Sequence, residues 1–203
     1  MLLVIDSATA ACSVALAAGS TLVAEAHDVV GRGHAERLIP MIQELLRGRR
    51  PAAILVDCGP GSFTGLRVGL AAAHGLAIGW GVALTGYSSL AVLAARAARE
   101  REEDEIAVAL NAGHGQLFVQ SYACEPLMPL NALQSLVPAE AAASIRAHHV
   151  YGSGAEALVS ARGRGEAHDA LPRAADAIRL PATLRSLPPR PIYGRAPDAK
   201  PMA

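Results

Sequence analysis

Leu2-Leu3-Val4-Ile5-Asp6, then Ser7-Ala8-Thr9-Ala10-Ala11, then Cys12-Ser13-Val14-Ala15-Leu16-Ala17: this opening decides the fold. The first run is short and continuously apolar, as a central strand is; the small residues make a turn and the next run a second strand. A third strand, Leu22 to Ala26, follows the Gly19-Ser20 turn, so the chain starts as an antiparallel meander and not as a strand–helix–strand unit. The same order returns roughly a hundred residues later. Ile106 to Asn111 reads as a strand ending on a polar residue, Ala112 to Gly115 as a turn, and Gln116 to Tyr122 as a strand. Strand, small polar turn, strand, twice over, predicts two related lobes.

Between the repeats, Leu38, Ile39, Ile42, Leu45 and Leu46 fall at helical spacing over His34 to Leu46. Pro40 lies within the first two turns, where it costs less than at the helix centre. Ala53 to Asp57 is a buried strand that runs into a glycine-rich loop, with a helix from Leu66 to Ile78 behind it. Val82 to Thr85 is a strand and Ser88 to Arg101 a helix. Its charged end, Glu100 to Glu105, reads as a solvated connection that divides the chain into lobes of residues 1–100 and 101–203, the second smaller and truncated. After Pro138 come an Ala-rich helix, a strand entering the Gly152-Ser153-Gly154 turn, and a helix from Ala155 to Ala161. From Pro181 the chain is rich in Pro and Arg and is expected to be an extended tail.

Composition narrows the function. The 203 residues are 52% hydrophobic and 18% charged, with a mean hydropathy of +0.29, which suits a packed core and not a disordered chain. Aromatics are only 3%, so the core must be built from Ala, Leu and Val, and stacking platforms for single-stranded nucleic acid are scarce. Eighteen basic residues balance eighteen acidic ones, against a strongly basic nucleic-acid binder. Three cysteines, Cys12, Cys58 and Cys124, lack any C-x-x-C spacing, which argues against a disulfide framework or a zinc ribbon and for a reducing compartment. The apolar start meets Asp6 at once without a basic region before it, so it does not read as a signal peptide, and a cytoplasmic location is expected.

Gly59-Pro60-Gly61-Ser62-Phe63-Thr64-Gly65 is the strongest local signal. Its glycines permit a tight turn and close approach, Ser62 or Thr64 can cap the following helix, and that helix start is either a structural turn or an anion site. No Lys-Ser/Thr follows at the spacing of a nucleotide-binding P-loop. The helix carries Gly65, Gly69, Ala72, Leu76 and Gly79 on one face, for packing on the chain's own sheet or, beside Leu38, Ile42 and Leu45, for docking on a second polypeptide. Asp6-Ser7-Ala8-Thr9 is either a satisfied turn or a holder of metal-bound phosphate. Seven histidines (27, 34, 74, 114, 148, 149 and 168) form no H-x-x-x-H pair, and the adjacent His148 and His149 would point apart on a helix, so no metal site is expected. His34 reads as a capping or interface residue. Arg47, Arg49 and Arg50 form a helix-terminal cluster that suits the helix dipole or an RNA phosphate.

Taken together, Ile5 to Leu16, His34 to Ile42, Gly59 to Gly69, Gly75-Leu76-Ala77, Asn111 to Phe118, Gly152-Ser153-Gly154 and Pro191-Ile192-Tyr193 resemble the TsaB family. These are the glycoprotease-like (M22) subunits of tRNA threonylcarbamoyladenosine (t6A) biosynthesis. The likeness is dense over residues 1–120 and sparse beyond. It implies an α/β fold of the actin-like ATPase (ASKHA, ribonuclease H-like) class, two lobes each with a mixed sheet and flanking helices. It also implies a non-catalytic partner of the paralogue TsaD, which modifies adenosine 37 of ANN-reading tRNAs together with the ATPase TsaE; tRNA would be met only through that complex. The paralogue's H-x-x-x-H metal pair has no counterpart in Gly86 to Val92, so no catalytic residue and no metal are implied here.

The family pairs through its two N-lobe helices, which assigns partner binding to His34, Leu38, Ile42, Leu45, Gly65, Gly69, Ala72 and Leu76, with a homodimer when the partner is missing. Phosphate or nucleotide contact would fall to Asp6, Ser7, Thr9, Gly59, Gly61 and Ser62. No cofactor is implied beyond ATP or ADP at the partner interface. Two departures from the family stand out, a short link from Leu46 to Ala53 and a compact Ala-rich segment after Tyr122. Two other functions stay open: an ATP-dependent small-molecule kinase of the same fold, with Asp6–Thr9 and the acid-free Asn111–Gly115 as its phosphate turns, and the peptidase of the family's older label, for which no triad is in evidence.

Overall fold

The computed structural model describes residues 1–100 and 103–194. The meander is β1 (Leu2–Asp6), β2 (Ala11–Ala18) and β3 (Thr21–Val29), followed by α1 (His34–Leu46), β4 (Ala53–Asp57), α2 (Phe63–Trp80), β5 (Ala83–Tyr87) and α3 (Ser89–Glu100). Its sheet has the order β3-β2-β1-β4-β5, antiparallel within the meander and parallel from β1 to β4 to β5. The second half runs β6 (Glu105–Gly113), β7 (Gln116–Cys124), β8 (Leu127–Pro129), β9 (Gln134–Leu136), α4 (Pro138–Ser144), β10 (His149–Tyr151), α5 (Ala155–Arg162), β11 (Glu166–His168) and α6 (Ala174–Ala177). Its sheet order is β8-β7-β6-β10-β11, with β9 also on β7, and β10 and β11 parallel to β6. The two sheets therefore share one order and one set of directions, the doubled ribonuclease H-like arrangement of the actin-like ATPases.

Three cores alternate with the two sheets. Leu3, Ile5, Val14, Ile54 and Val56 face α1 and α2; Ala107, Val119 and Val150 face α4 and α5. Between the sheets, Val4, Ala15, Leu55, Val108 and Tyr122 enclose α3 and α6. α3, from the first half of the chain, packs on β6 and β7, whereas α6, from the second half, packs on β1 and β2. A helix between two sheets must be apolar all round and slim, and Ala91, Ala94, Ala95 and Ala97 of α3 are all buried. Strands β1 and β4 are covered on both faces, which is why they read as continuous apolar runs instead of alternating ones.

The expected tail is corrected in part. Residues 187–194 are extended but strapped to the first lobe: Gly86 and Leu187 exchange backbone hydrogen bonds of 2.8 and 3.0 Å, and Ile192 N donates to Cys58 O at 2.8 Å. Residues 195–203 of that tail, and Arg101 and Glu102 of the charged connection, lie outside the described residues. Among the described residues no helix is long and apolar enough to cross a membrane.

Candidate functional site

α1 and α2 lie side by side on the outer face of the first sheet. His34, at the start of α1, is buried with Nε2 2.9 Å from Thr9 O and 3.2 Å from Ala11 O. Both partners are carbonyls, so this nitrogen carries the hydrogen and ties α1 to the β1–β2 turn. Ser62 caps α2, its Oγ accepting from Gly65 N. Gly65, Leu66, Gly69, Leu70, Ala73 and Ala77 are the buried face of α2. A methyl at Gly65 would stand 2.2 Å from Ser7 O, and one at Gly69 2.3 Å from Ser7 Oγ. Only a residue without Cβ lets the helix come that near the end of β1.

This corrects the assignment of the partner face. Six of the eight expected residues, His34, Leu38, Ile42, Leu45, Gly65 and Gly69, are buried in the chain's own core. Ala72 and Leu76 are half-buried at its edge. The accessible face of the same two helices is the opposite one. There Ile78 is 81% exposed, Phe63 56% and Ile39 39%, with Ala71, Gly75 and Gly79 open beside half-buried Val68 and Trp80. Thr64, Arg67 and His74 are the only polar side chains in the 18 residues of α2. A helix that is apolar all round is normally covered all round. This one is covered on one side.

The phosphate candidates divide in the same way. Asp6, Ser7 and Gly59 are buried, and the glycine loop is closed against the β1–β2 turn: Ser62 N donates to Ala8 O at 2.6 Å, Ser7 Oγ donates to Gly65 O at 2.9 Å, and a Cβ on Gly61 would stand 2.0 Å from Ala8 O. Beneath the loop is a pair of acids. Ile5 pairs with Val56 in parallel register, so Asp6 and Asp57 end their strands as neighbours. Tyr87 Oη donates to Asp6 Oδ2 at 2.9 Å, Ser89 Oγ stands 2.9 and 2.7 Å from the two Asp57 oxygens, and Gly59 N donates to Asp57 Oδ1 at 2.8 Å. Burial, then the Asp57 charge, pushes the Asp6 carboxyl well above the usual carboxylate range, while burial raises Asp57 to about 6 against the hydrogen bonds that favour its charge. Asp6 Oδ1 is buried without a hydrogen-bond partner.

Thr9, Gly61 and Ser62 do reach a cavity, the cleft of about 880 Å³ between the two turns and the C-terminal strap. Arg67 stacks over the Phe63 ring at 3.6 Å and donates to Tyr193 Oη at 3.3 Å on one wall. Asn111 Nδ2 donates to Ser153 O at 2.9 Å on the other. Asp57, Tyr87 and Ser89 join the site without being marked by the sequence as site residues, while Tyr193 stands in the Pro191-Ile192-Tyr193 stretch that carries the family resemblance. For Asp57 a signal existed, since it closes its apolar strand as Asp6 closes β1. In the basic cluster, Arg49 donates to Leu45 O and Leu46 O, and Arg50 to Trp80 O, which makes them helix-end caps.

Comparison with known proteins agrees with this architecture. The family model described as TsaD, tRNA N6-adenosine threonylcarbamoyltransferase, matches residues 26–128. The tRNA threonylcarbamoyladenosine biosynthesis protein TsaB of Escherichia coli K12 is 36% identical over 126 residues, covering 60% of this chain and 54% of that protein. Its counterpart in Haemophilus influenzae is 34% identical over 122 residues, 58% and 51% of the two chains. The chain thus spans about half the length of the curated relatives it matches. YeaZ from Pseudomonas aeruginosa superposes with a TM-score of 0.78 at 32% identity over 88% of this chain and 89% of that one. A P. aeruginosa protein described as similar to peptidase YeaZ gives 0.79 at 28% identity, over 96% and 99%.

Proposed function

Because the chain belongs to the TsaB (YeaZ) family, within the wider TsaD-type group, we propose that it works in t6A biosynthesis as a docking subunit and not as the transferase. The outer α1–α2 face would receive an apolar helical face of a larger TsaD-like catalytic paralogue, with a TsaE-like ATPase joining the assembly and tRNA met through it. In the paralogue's absence the same face would take a second copy. The observation that carries this reading is α2, an 18-residue helix with three polar side chains and one open side. A partner that binds only the competent state of the catalytic subunit raises the population of that state, which is activation without chemistry. The β5–α3 segment, where the paralogue's metal-binding histidines are expected, holds Tyr87 and Ser89 bonded to the acid pair.

Ile78→Asp tests the proposal. Ile78 is 81% exposed, so the change should leave stability within about 0.5 kcal/mol, while a charge facing an apolar partner should weaken pairing at least about tenfold. Size-exclusion chromatography with light scattering, on the chain alone and mixed with its TsaD-like paralogue, reads the outcome. Pairing of the variant at wild-type strength would refute the assignment.

A further inference from the structure

We propose that His149, His168 and Glu166, with His148 beside them, bind a divalent transition-metal ion of the Zn²⁺ type on the second lobe. The residues meet through the sheet. Parallel pairing sets His149 opposite Glu166 where β10 and β11 start, and Tyr151 opposite His168 where they end. His148 and His149 do not occupy a helix that would point them apart; they lead into a strand, and both reach Glu166.

His149 Nδ1 lies 3.0 Å from His168 Nε2 and 3.5 Å from Glu166 Oε2, and the last two are 3.8 Å apart. Ligands held about 2.0–2.1 Å from a tetrahedral Zn²⁺ stand about 3.3–3.4 Å from one another, so this triangle already has the size of one face of a coordination tetrahedron. His148 Nε2, 3.8 Å from Glu166 Oε1, supplies a fourth donor, and donor atoms of His148, His149 and Glu166 lie within 4.8 Å of one another.

The surroundings are those of a metal ligand. The other nitrogen of His149, Nε2, is 3.3 Å from Glu103 Oε1, and a carboxylate on the far side of a histidine fixes its tautomer and makes the ligating nitrogen more basic. The His149 side chain is only 6% exposed, and the His168 ring is stacked on Tyr151 with centroids 4.5 Å apart. Arg162 donates to the carbonyls of Ala147 and His148 and holds the approach to β10. Three imidazoles and one carboxylate suit Zn²⁺, Co²⁺ or Ni²⁺, whereas Mg²⁺ and Ca²⁺ call for oxygen ligands. The ion would tie β10 to β11 and, through Glu103, to the approach to β6.

Isothermal titration of ZnCl₂ into the metal-stripped full chain, with visible absorption of the Co²⁺-loaded chain as the geometric readout, tests this. One ion per chain and tetrahedral Co²⁺ bands are expected. His168→Gln and Glu166→Gln should each weaken binding at least about a hundredfold, and Glu103→Gln about 10–100-fold, with unchanged melting of the metal-free chain. Glu166 is exposed, so Glu166→Gln serves even where a histidine variant folds poorly. A wild-type chain that binds neither ion overturns the site and leaves His149 and His168 as a plain N–H···N pair. So does binding that survives both Glu166→Gln and His168→Gln.

Discussion

Asp57→Asn is expected to flatten the pH dependence of stability in mildly acidic solution. In the folded chain the Asp57 carboxyl is raised from its ordinary 3.8 to about 6, first by burial, with the Ser89 and Gly59 hydrogen bonds opposing. Between those values the folded state holds a proton on Asp57 that the unfolded chain has released, so the Asp57 contribution to stability declines as pH rises from about 4 through about 6 and is gone above. About two units at 1.36 kcal/mol each is about 3 kcal/mol in all, of which about 2 kcal/mol falls between about pH 4.5 and 7.5. Asn is close to isosteric and can still accept from Gly59 N and Ser89 Oγ, but it has no proton to exchange. Asp6 loses its charged neighbour in the variant, which moves the difference in the same sense. Urea unfolding of both chains across that window gives the difference directly, and groups common to both, such as Asp176 and His27, cancel. A wild-type-minus-variant difference that does not change with pH would refute the raised Asp57 carboxyl.

Two paired glycine changes and one arginine test the packing. Gly61→Ala should cost about 1–3 kcal/mol, because its methyl would stand 2.0 Å from the backbone oxygen of Ala8, which cannot swing aside. Gly75→Ala, where nothing lies within 4 Å of the new methyl, should instead gain up to about 1 kcal/mol of helix propensity. Thermal melts should therefore move in opposite directions, by about 2–4 °C per kcal/mol. Arg162→Ala removes the donor to the carbonyls of Ile145, Ala147 and His148 and should cost about 1–3 kcal/mol, read by urea unfolding, since those oxygens line a half-buried loop.

The strands and helices that were legible are those whose burial is one-sided or total over a long run. Leu2–Asp6, His34–Leu46 and Ala53–Asp57 stand within the bounds their patterns predict. β8, β9 and β11, of three residues each, are too short to show a period, and they are edge or near-edge strands held by their neighbours. α6 is four residues long and owes its helical state to the first lobe: Ala174 N donates to Ser13 Oγ at 3.0 Å across 161 positions of sequence. No local window contains that bond. His149, Glu166 and His168 were illegible for the same reason, because parallel strands bring together residues that local spacing keeps apart.

The small-residue stripe alone does not decide which side of α2 meets the sheet and which stays open. The stripe Gly65, Gly69, Ala72, Leu76 and Gly79 is a place of close backbone approach at Gly65 and Gly69, which meet the chain's own Ser7, and not at Gly79, which has nothing within 4 Å. Apolarity could not break the tie, since Val68, Ala71 and Ile78 make the opposite side of α2 nearly as apolar. Connectivity could have. α2 links the parallel neighbours β4 and β5, and a crossover helix has to lie on the sheet it joins. The face of closest approach is then claimed by the sheet, and the glycines follow it, because only there would a Cβ meet backbone or the Ser7 hydroxyl. Gly75 and Gly79, on the open side with nothing within 4 Å, are under no such steric demand. Gly65 and Gly69 thus mark the inside of this crossover helix, and the side left open is the apolar one where a residue as large as Ile78 is tolerated.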